Sequence, residues 1–596
     1  MKKILTFALA ALMILSLISC AAKNSGAAVS YKAGTYSGVG KGRNGDINVK
    51  VVLKKTKIAK ITVGAHSETP GISDAPLKNI PEAIIAGQTL AVDTVSGATL
   101  SSEGIIAAVA DALESAGVDT SKLQTKNDSA VVEIELKDAT YDVVIIGAGG
   151  AGLTAAVQAK VSGAEKVALI EKTPIAGGNT IRSGAAMAVP GHPNQVKAGI
   201  EDNAEMLVKD MNAGGGNIGN QDLISTLAHN ATKGALWLGE YVEVDWRDAI
   251  AQESGHVVPR FIEPKTYGPG LITPLVKKAE ELGVEIMYST KAEKLVQDKS
   301  GRVTGVVVSR NGKEATISGT NGVVIASGGF GANVEMREKY NTKWATLDEN
   351  IPTSNSPAIQ GEGIEMAQAI GANLVGMEYI QLYPFNNPAT GVYYNIEGPR
   401  WNHGGGIYVN LDGERFVNEM ATRDLVSEAI FAQEESIAFF LYNQAAADEK
   451  NMEVNLAHEY ASATEQGVFI KADTLKECAD FFGVNAENLK ATVSRWNKMV
   501  ADGEDTEFNR VDNLKQNVDG PWFMMKGLPS VHHTMGGIEI DSEAHVIDTD
   551  GNIIPGLYAA GETTGGIHGT NRLGTCAIAD IIVFGRIAGA SAAERK

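Results

Sequence analysis

Gly147-Ala148-Gly149-Gly150-Ala151-Gly152 follows a continuous apolar run, Tyr141 to Ile146, and opens a small-residue stretch from Leu153 to Val161. A second apolar run, Lys166 to Ile170, ends at Glu171, 19 residues beyond Gly152. Strand, glycine turn, helix and acid in that order make a dinucleotide site. Gly147 makes the turn, Gly149 lets backbone approach a pyrophosphate, Gly152 allows close helix packing, and Glu171 can accept ribose hydroxyls. The same G-x-G-x-x-G spacing at Gly40 and at Gly214 follows no buried strand, so both are read as loops. With no second copy of the full arrangement, a nicotinamide cofactor is not expected as the direct reductant. Gly178, Asn179, Thr180 and Gly184 add close-approach and polar positions. Gly329, after the apolar run from Gly322, and Glu562, after Gly556 to Gly561, repeat the strand-to-turn pattern.

A second stretch has the makings of an anion site. Asp93-Thr94-Val95-Ser96-Gly97-Ala98-Thr99 precedes residues at helical spacing (Ile105, Ile106, Val109, Ala110, Leu113). Small residues ahead of a helix leave backbone N–H groups free, and these with the helix dipole favour a phosphate. The hydroxyls alone are equally read as helix caps. Upstream, Ile47 to Val63 alternates apolar and basic residues as half-exposed strands do.

The elements that must carry these sites need a long chain, and 596 residues suggest three or four domains. With 71 acidic against 52 basic side chains, net charge −19, a nucleic-acid surface is not expected. Glycine is 66 of 596 residues, about 11% against roughly 7% on average, with no collagen period, which fits many tight βα turns. Cys20, Cys478 and Cys576 stand too far apart for a C-x-x-C-H haem site, an iron–sulfur cluster or a zinc ribbon. Electron transfer here would use an organic cofactor or a partner. Met1-Lys2-Lys3 and the apolar run Ile4 to Ile18 read as a signal segment, shorter than the roughly 20 residues of a spanning helix. It ends in Leu17-Ile18-Ser19-Cys20-Ala21, which resembles a bacterial lipobox. That implies cleavage before Cys20, lipidation of its thiol, and an exported protein anchored at the extracytoplasmic side of a membrane. Ala21 to Ser30 is a flexible tether, and no other stretch is expected to span a bilayer.

Asp93-x-x-Ser96-Gly97-Ala98-Thr99 resembles the FMN-binding domain motif of respiratory flavoproteins. The resemblance implies FMN esterified through its phosphate to Thr99 by a flavin transferase. From about 140 to 590 the chain resembles the flavoprotein family of fumarate reductases, succinate dehydrogenase flavoproteins and urocanate reductases. The strings that carry this are His532-His533-Thr534-Met535-Gly536-Gly537, His568-Gly569-Thr570-Asn571-Arg572, and Phe416-Val417-Asn418-Glu419-Met420-Ala421-Thr422-Arg423-Asp424. The resemblance implies non-covalent FAD at the Gly147 site, with Glu562 against its ribityl or ribose part. It also implies reduction of a C=C bond conjugated to a carboxylate, by hydride from the flavin and a proton from the protein. His532 and Arg572 would bind the carboxylate, Arg423 would be the acid, and Glu397 with Arg400 would resupply its proton. Arginine suits such a clamp because its planar fork meets a carboxylate bidentately. Arginine normally stays protonated, so as an acid it needs that resupply.

The far end of the pocket departs from the fumarate pattern. Where fumarate reductases carry Gln-x-His-Pro-Thr, this chain reads Gln381-Leu382-Tyr383-Pro384-Phe385, and Ile396 replaces a threonine before the relay glutamate. A second carboxylate there would be poorly compensated; a tyrosine at this place resembles the urocanate reductases. Tyr393, Tyr394, Trp401 and Asn402 are candidates to contact a flat ring. No Asp lies between Tyr383 and Arg400 to pair with an imidazolium, although Glu397 is near, so a cinnamate-like aryl acrylate is a rival substrate.

The expected architecture is α/β. A signal peptide (1–19) and tether (20–30) precede a small α+β FMN-binding domain (31–120) and a linker (121–138). A Rossmann-like FAD-binding domain (139–382 and 532–596) follows, with an inserted α+β clamp (383–531). The expected activity is respiratory reduction of an enoate, urocanate first, fumarate or an aryl acrylate next. Two readings of other kinds are a non-catalytic electron-transfer flavolipoprotein and an oxidase related to aspartate oxidases. The expected partners are a small unsaturated carboxylate, an electron donor and the flavin transferase.

Overall fold

The computed structural model describes residues 30–69, 72–95, 98–125, 135–400 and 404–594. The signal segment with Cys20, and Ser96, Gly97, Trp401 and Asn402, lie outside the described residues. The chain divides into two compact units between residues 133 and 134, residues 70–72 grouping with the second.

In the first unit, strands Gly34–Lys41, Asp46–Lys54 and Lys57–Val63 form an antiparallel sheet in that order. Alternation puts Ile47, Val49, Val51 and Leu53 inside, against Ile105, Ala108, Val109, Ala112 and Leu113 of helix Thr99–Ser115. Gly40 lies within strand Gly34–Lys41, and Gly214 ends helix Ala204–Gly214, rather than either lying in a loop. A Cβ on Gly40 would come within 2.1 Å of the Gly104 carbonyl oxygen, so a glycine lets sheet and helix touch. Thr99 is the first residue of its helix and is exposed. Ser102 Oγ holds the turn before it, accepting from the Val95 N–H (3.0 Å) and donating to the Ala98 carbonyl (2.9 Å).

The second unit is built on a sheet in the order 545–547, 553–559, 313–325, 139–146, 167–170, 285–287. Its central pairings, from 553–559 across to 285–287, are parallel. Val143 to Ile146 and Val167 to Ile170 are buried on both faces, as their continuous apolar runs require. Helix Gly150–Val161 packs against helix Cys576–Ala593. Against the expectation above, the latter is long and apolar enough to cross a membrane; it is a core helix, 67% buried.

A second, antiparallel sheet is inserted: strands Ile380–Asn386, Trp522–Thr534, Ala438–Asn443 and Ile407–Val409, with Phe469–Ala472 beside the second. Alternate residues fill two cores, Tyr408, Phe440 and Phe523 on one face, Ile407, Val409 and Phe439 on the other. Its two longest-reaching strands cross between cores. Ile380, Leu382 and Val531 pack in the core of the parallel sheet, whereas Phe385, Phe523 and Met525 pack in the insert. Tyr383 and His532 stand at that crossing.

Candidate active site

The glycine loop has the shape its spacing implies. Gly147 has φ +102°, and a Cβ on Gly152 would lie 1.8 Å from the Gly147 carbonyl oxygen. By contrast, a Cβ on Gly149 or on Gly184 would meet nothing within 4 Å. Gly149 caps helix Gly150–Val161 with no side-chain hydrogen bond, so the first-turn N–H groups face open space. Gly178 has φ +51°, beside Gly149, and Thr180 packs on Gly150. This is a cradle that a pyrophosphate fits. Glu171 is tied to the loop: Oε2 accepts from the Ala148 N–H (2.9 Å), and Oε1 from the Thr173 N–H and hydroxyl (both 2.8 Å). Burial pushes its carboxyl up.

Glu562 lies where Gly329 has no side chain; a Cβ there would meet Glu562 Oε1 at 2.8 Å. Its carboxylate accepts from the Thr534 N–H (3.1 Å) and from Asn179 Nδ2 (3.4 Å), with His533 Nδ1 at 3.6 Å. Burial pushes it up to about 7. Asn179 is fixed between Asn355 and the Ser356 N–H. Among the described residues, His533 Nε2, Thr563 Oγ1 and Arg572 Nε are buried polar atoms without a partner. Such atoms suit a polar cofactor and substrate, so the residues fit FAD.

The register of the two crossing strands aims the substrate-facing groups. Gln381 pairs with His533 and Leu382 with Val531, so His532 is an extra residue in a bulge. A bulge re-aims a side chain that strict alternation would bury. The His532 ring lies 5.4 Å from the Tyr383 ring, and its Nδ1 is 2.8 Å from Ser354 Oγ. Burial, with Arg423 and Arg572 nearby, holds it well below the usual imidazole range, so it is neutral. Gln381 braces Arg572: its Oε1 accepts from Nη2 (2.9 Å), while its Nε2 donates to the Arg572 carbonyl (2.7 Å) and Asn571 Oδ1 (2.6 Å). Burial, then Arg423, pushes Arg572 down to about 10, leaving it cationic at neutral pH.

Arg423 opens helix Arg423–Phe431, where the dipole opposes a cation by about 0.3–1 kcal/mol. Glu253 offsets this, accepting from Arg423 Nη2 at 3.0 Å. The guanidinium lies 5.0 Å from the Tyr383 ring centroid, and its Nη1 has no partner among the described residues. Glu397 and Arg400 are fully buried, Arg400 Nη1 donating to Glu397 Oε1 (3.0 Å). Tyr408 donates to the same oxygen. Burial raises the Glu397 carboxyl, while Arg400, Tyr408 and Arg423 act the other way. Beneath them Glu419 takes Arg415 bidentately (both 2.9 Å) and Arg510 (3.1 Å), and its backbone carbonyl accepts from Arg400 Nε (2.7 Å).

The structure therefore gathers Tyr383, Glu397, Arg400, Arg423, His532 and Arg572 at one place, and the glycines, Glu171, Asn179, Thr180 and Glu562 at another stretch of the same unit. Thr99 belongs to the other unit. Tyr394 does not serve a pocket: its hydroxyl donates to the Lys526 carbonyl (3.0 Å) and its ring packs on Phe385 within the insert. Tyr393 does lie against Tyr383, at 5.9 Å. Glu253, Ser354 and Tyr408 were not legible as site residues, since they sit in no motif. Gln381 lay inside one, two residues before Tyr383.

An FMN-binding domain together with an FAD-binding oxidoreductase unit is the class these two units define. An FMN-binding family model matches residues 42–114, and an FAD-binding family model matches residues 142–578. The chain belongs to that FAD-binding flavoprotein family. It is 38% identical to a urocanate reductase of Eggerthella lenta, over 97% of this chain and 96% of that protein. It is 35% identical to an NADH:acrylate oxidoreductase of Vibrio harveyi, over 95% of this chain and 62% of that one. An open-conformation flavocytochrome c3 fumarate reductase structure matches 77% of this chain and 78% of its own, at 35% identity and TM-score 0.66.

Proposed function

We propose that the protein reduces the C=C bond of a planar, ring-bearing enoate, urocanate first, as a respiratory acceptor. The observation that carries the substrate choice is Tyr383. It puts an un-ionised phenol, raised by burial, between Arg423 and His532, where a second carboxylate would need a cation. Glu253, paired with Arg423, brings to this group of side chains a carboxylate that the sequence between Tyr383 and Arg400 lacked. The likeness to the Eggerthella lenta urocanate reductase supports the same reading.

FAD, when bound, supplies the hydride, and FMN the route by which electrons reach it. Arg572, braced by Gln381, receives the substrate carboxylate. Neutral His532 helps only if its single N–H is on Nε2, which requires the Ser354 hydroxyl to donate to Nδ1. Arg423 Nη1 gives the proton to the carbon opposite the hydride, and Glu397 with Arg400 restores it. Fumarate is the second reading, favoured by two guanidiniums with unpaired N–H groups at Arg423 and Arg572. An aryl acrylate is the third. A reduced-viologen assay against urocanate, fumarate, cinnamate and acrylate separates them: urocanate should give the highest kcat/KM, and a maximum on fumarate would overturn the choice.

The motif at Thr99, exposed at the start of its helix, supports FMN held covalently there after a flavin transferase has acted. The sequence around Cys20 supports export and lipid anchoring on the extracytoplasmic side of a bacterial membrane. An electron donor at that surface would then reduce the FMN unit. Mass analysis of the mature N-terminus tests the anchor: an unlipidated residue would remove it.

A further inference from the structure

We propose that Tyr408 is a positioning residue of the proton relay, one that holds Glu397 Oε1 so that Oε2 is the atom which returns the proton to Arg423. The proposal rests on the relay reading above. Tyr408 sits in strand Ile407–Val409, fully buried, with its ring against Phe385 (5.0 Å) and Phe440 (5.3 Å). Its hydroxyl donates to Glu397 Oε1, the oxygen that also receives Arg400 Nη1. Oε1 thus carries two donors, and Oε2 has none among the described residues.

With its ring enclosed by the apolar core of the insert, Tyr408 has no route by which to import a proton. Its effect is on which oxygen of Glu397 exchanges one. In the balanced cycle, Arg423 loses a proton to the substrate carbon, and the Glu397 Oε2–H bond breaks as an N–H bond of the guanidinium re-forms. The carboxylate then takes a proton from Arg400 Nη1 at Oε1, water re-protonates that guanidinium, and the carboxyl turns to bring the O–H into the open position from which the next proton leaves. Tyr408 keeps its own proton throughout; burial, the largest influence on it, raises its phenol well above the ordinary value.

The groups facing Glu397 are Arg400 on its own segment, Tyr408 from the strand, Arg423 from the helix and Tyr383 from the crossing strand. Tyr394 lies on the adjoining turn, and Glu419, satisfied by Arg415 and Arg510, lies behind Arg400. Of the two donors to Glu397 Oε1, the Tyr408 hydroxyl is the one whose removal leaves every charge in place. Losing a hydrogen bond to the carboxylate disfavours its ionised form, so the carboxyl titrates higher. The protonated form is the one that resupplies Arg423.

The test is the pH profile of kcat per bound FAD, on the intact holoenzyme with reduced viologen and urocanate. Tyr408→Phe should lower kcat, leave KM within about twofold, and move the alkaline limb of kcat upward by roughly one pH unit or more. An unmoved limb at wild-type kcat would overturn the role of Tyr408. In a Glu397→Gln background, adding Tyr408→Phe should change nothing further in the profile, and a further shift would show Tyr408 acting elsewhere. If Glu397→Gln alone leaves the limb untouched, the relay reading itself fails. Should Tyr408→Phe not be recovered folded, the double variant, with no carboxylate to hold, should be. Loss of both would mark Tyr408 as packing only.

Discussion

Arg423 is held by one carboxylate on one nitrogen and left open on another, an arrangement suited to a group that must release a proton and regain it. Replacing it with alanine should leave FAD content unchanged and lower turnover about 10²–10⁴-fold, the range of a general acid; bound flavin absorbance with a reduced-dye rate measures both. Ser354 should act on binding. Ser354→Ala frees the His532 tautomer, and KM should rise about two- to tenfold with kcat little changed, the worth of one hydrogen bond. Glu562 offers a thermodynamic check. A carboxyl raised by burial to about 7 stabilises the fold while protonated; that contribution is whole below its ordinary 4.5 and is lost as pH rises through about 7. FAD-free Glu562→Gln should therefore gain melting temperature relative to the parent between pH 4.5 and 7, and the gap should then level off. A gap independent of pH would assign the effect to packing.

At the scale of elements, two glycines three residues apart have different duties. A Gly152→Ala side chain has no room, since it would press on the Gly147 carbonyl; it should cost about 1–3 kcal/mol of stability as well as FAD. A Gly149→Ala side chain clashes with nothing in the protein. That variant should melt like the parent without FAD yet bind FAD more weakly, which titration by flavin fluorescence reads. The bulge at His532 is the other decisive element. Without the extra residue, period-two alternation would send His532 to the opposite face from its present one. The helix that begins at Arg423 and the short segment carrying Glu397 then meet at the same crossing. The ion network of Glu419, Arg415 and Arg510 anchors that meeting. Removing one partner of such a buried set costs roughly 3–5 kcal/mol.

At the scale of the whole chain, the FMN-binding and FAD-binding regions fall into two separate compact units. If FMN is held covalently at Thr99, as proposed, that residue separates the two flavins by mutation. Thr99→Ala, expressed with the flavin transferase, should lose in-gel flavin fluorescence under denaturing conditions while retaining extractable FAD. A fluorescent band in that variant would place the covalent flavin elsewhere. The scarcity of cysteine takes on meaning here. Cys478 and Cys576 are buried and free, the cysteines from which the sequence built no haem or cluster motif.

The parts recognised from local spacing are those whose chemistry is local. The dinucleotide turn, with Gly147, Gly149 and Gly152, needs only strand, glycines and helix in order, and it is built as its sequence implies. Arg423, Arg572, His532, Glu397 and Arg400 were legible because each sits in a recognisable string. Glu253, 170 residues from Arg423, and Ser354, 178 from His532, carry no such signal, because their partners are brought to them by the fold. Tyr394 was misjudged for the same reason. Adjacent in sequence to Tyr393, it turns to the opposite side, and only the packing of the insert decides which tyrosine faces the site. The amino-acid sequence alone pointed to the glycine turn and the family of reaction, since each is carried by short strings of residues. The tertiary structure decided which carboxylate pairs with Arg423 and which hydroxyl meets His532, because each is a contact between segments far apart in the chain.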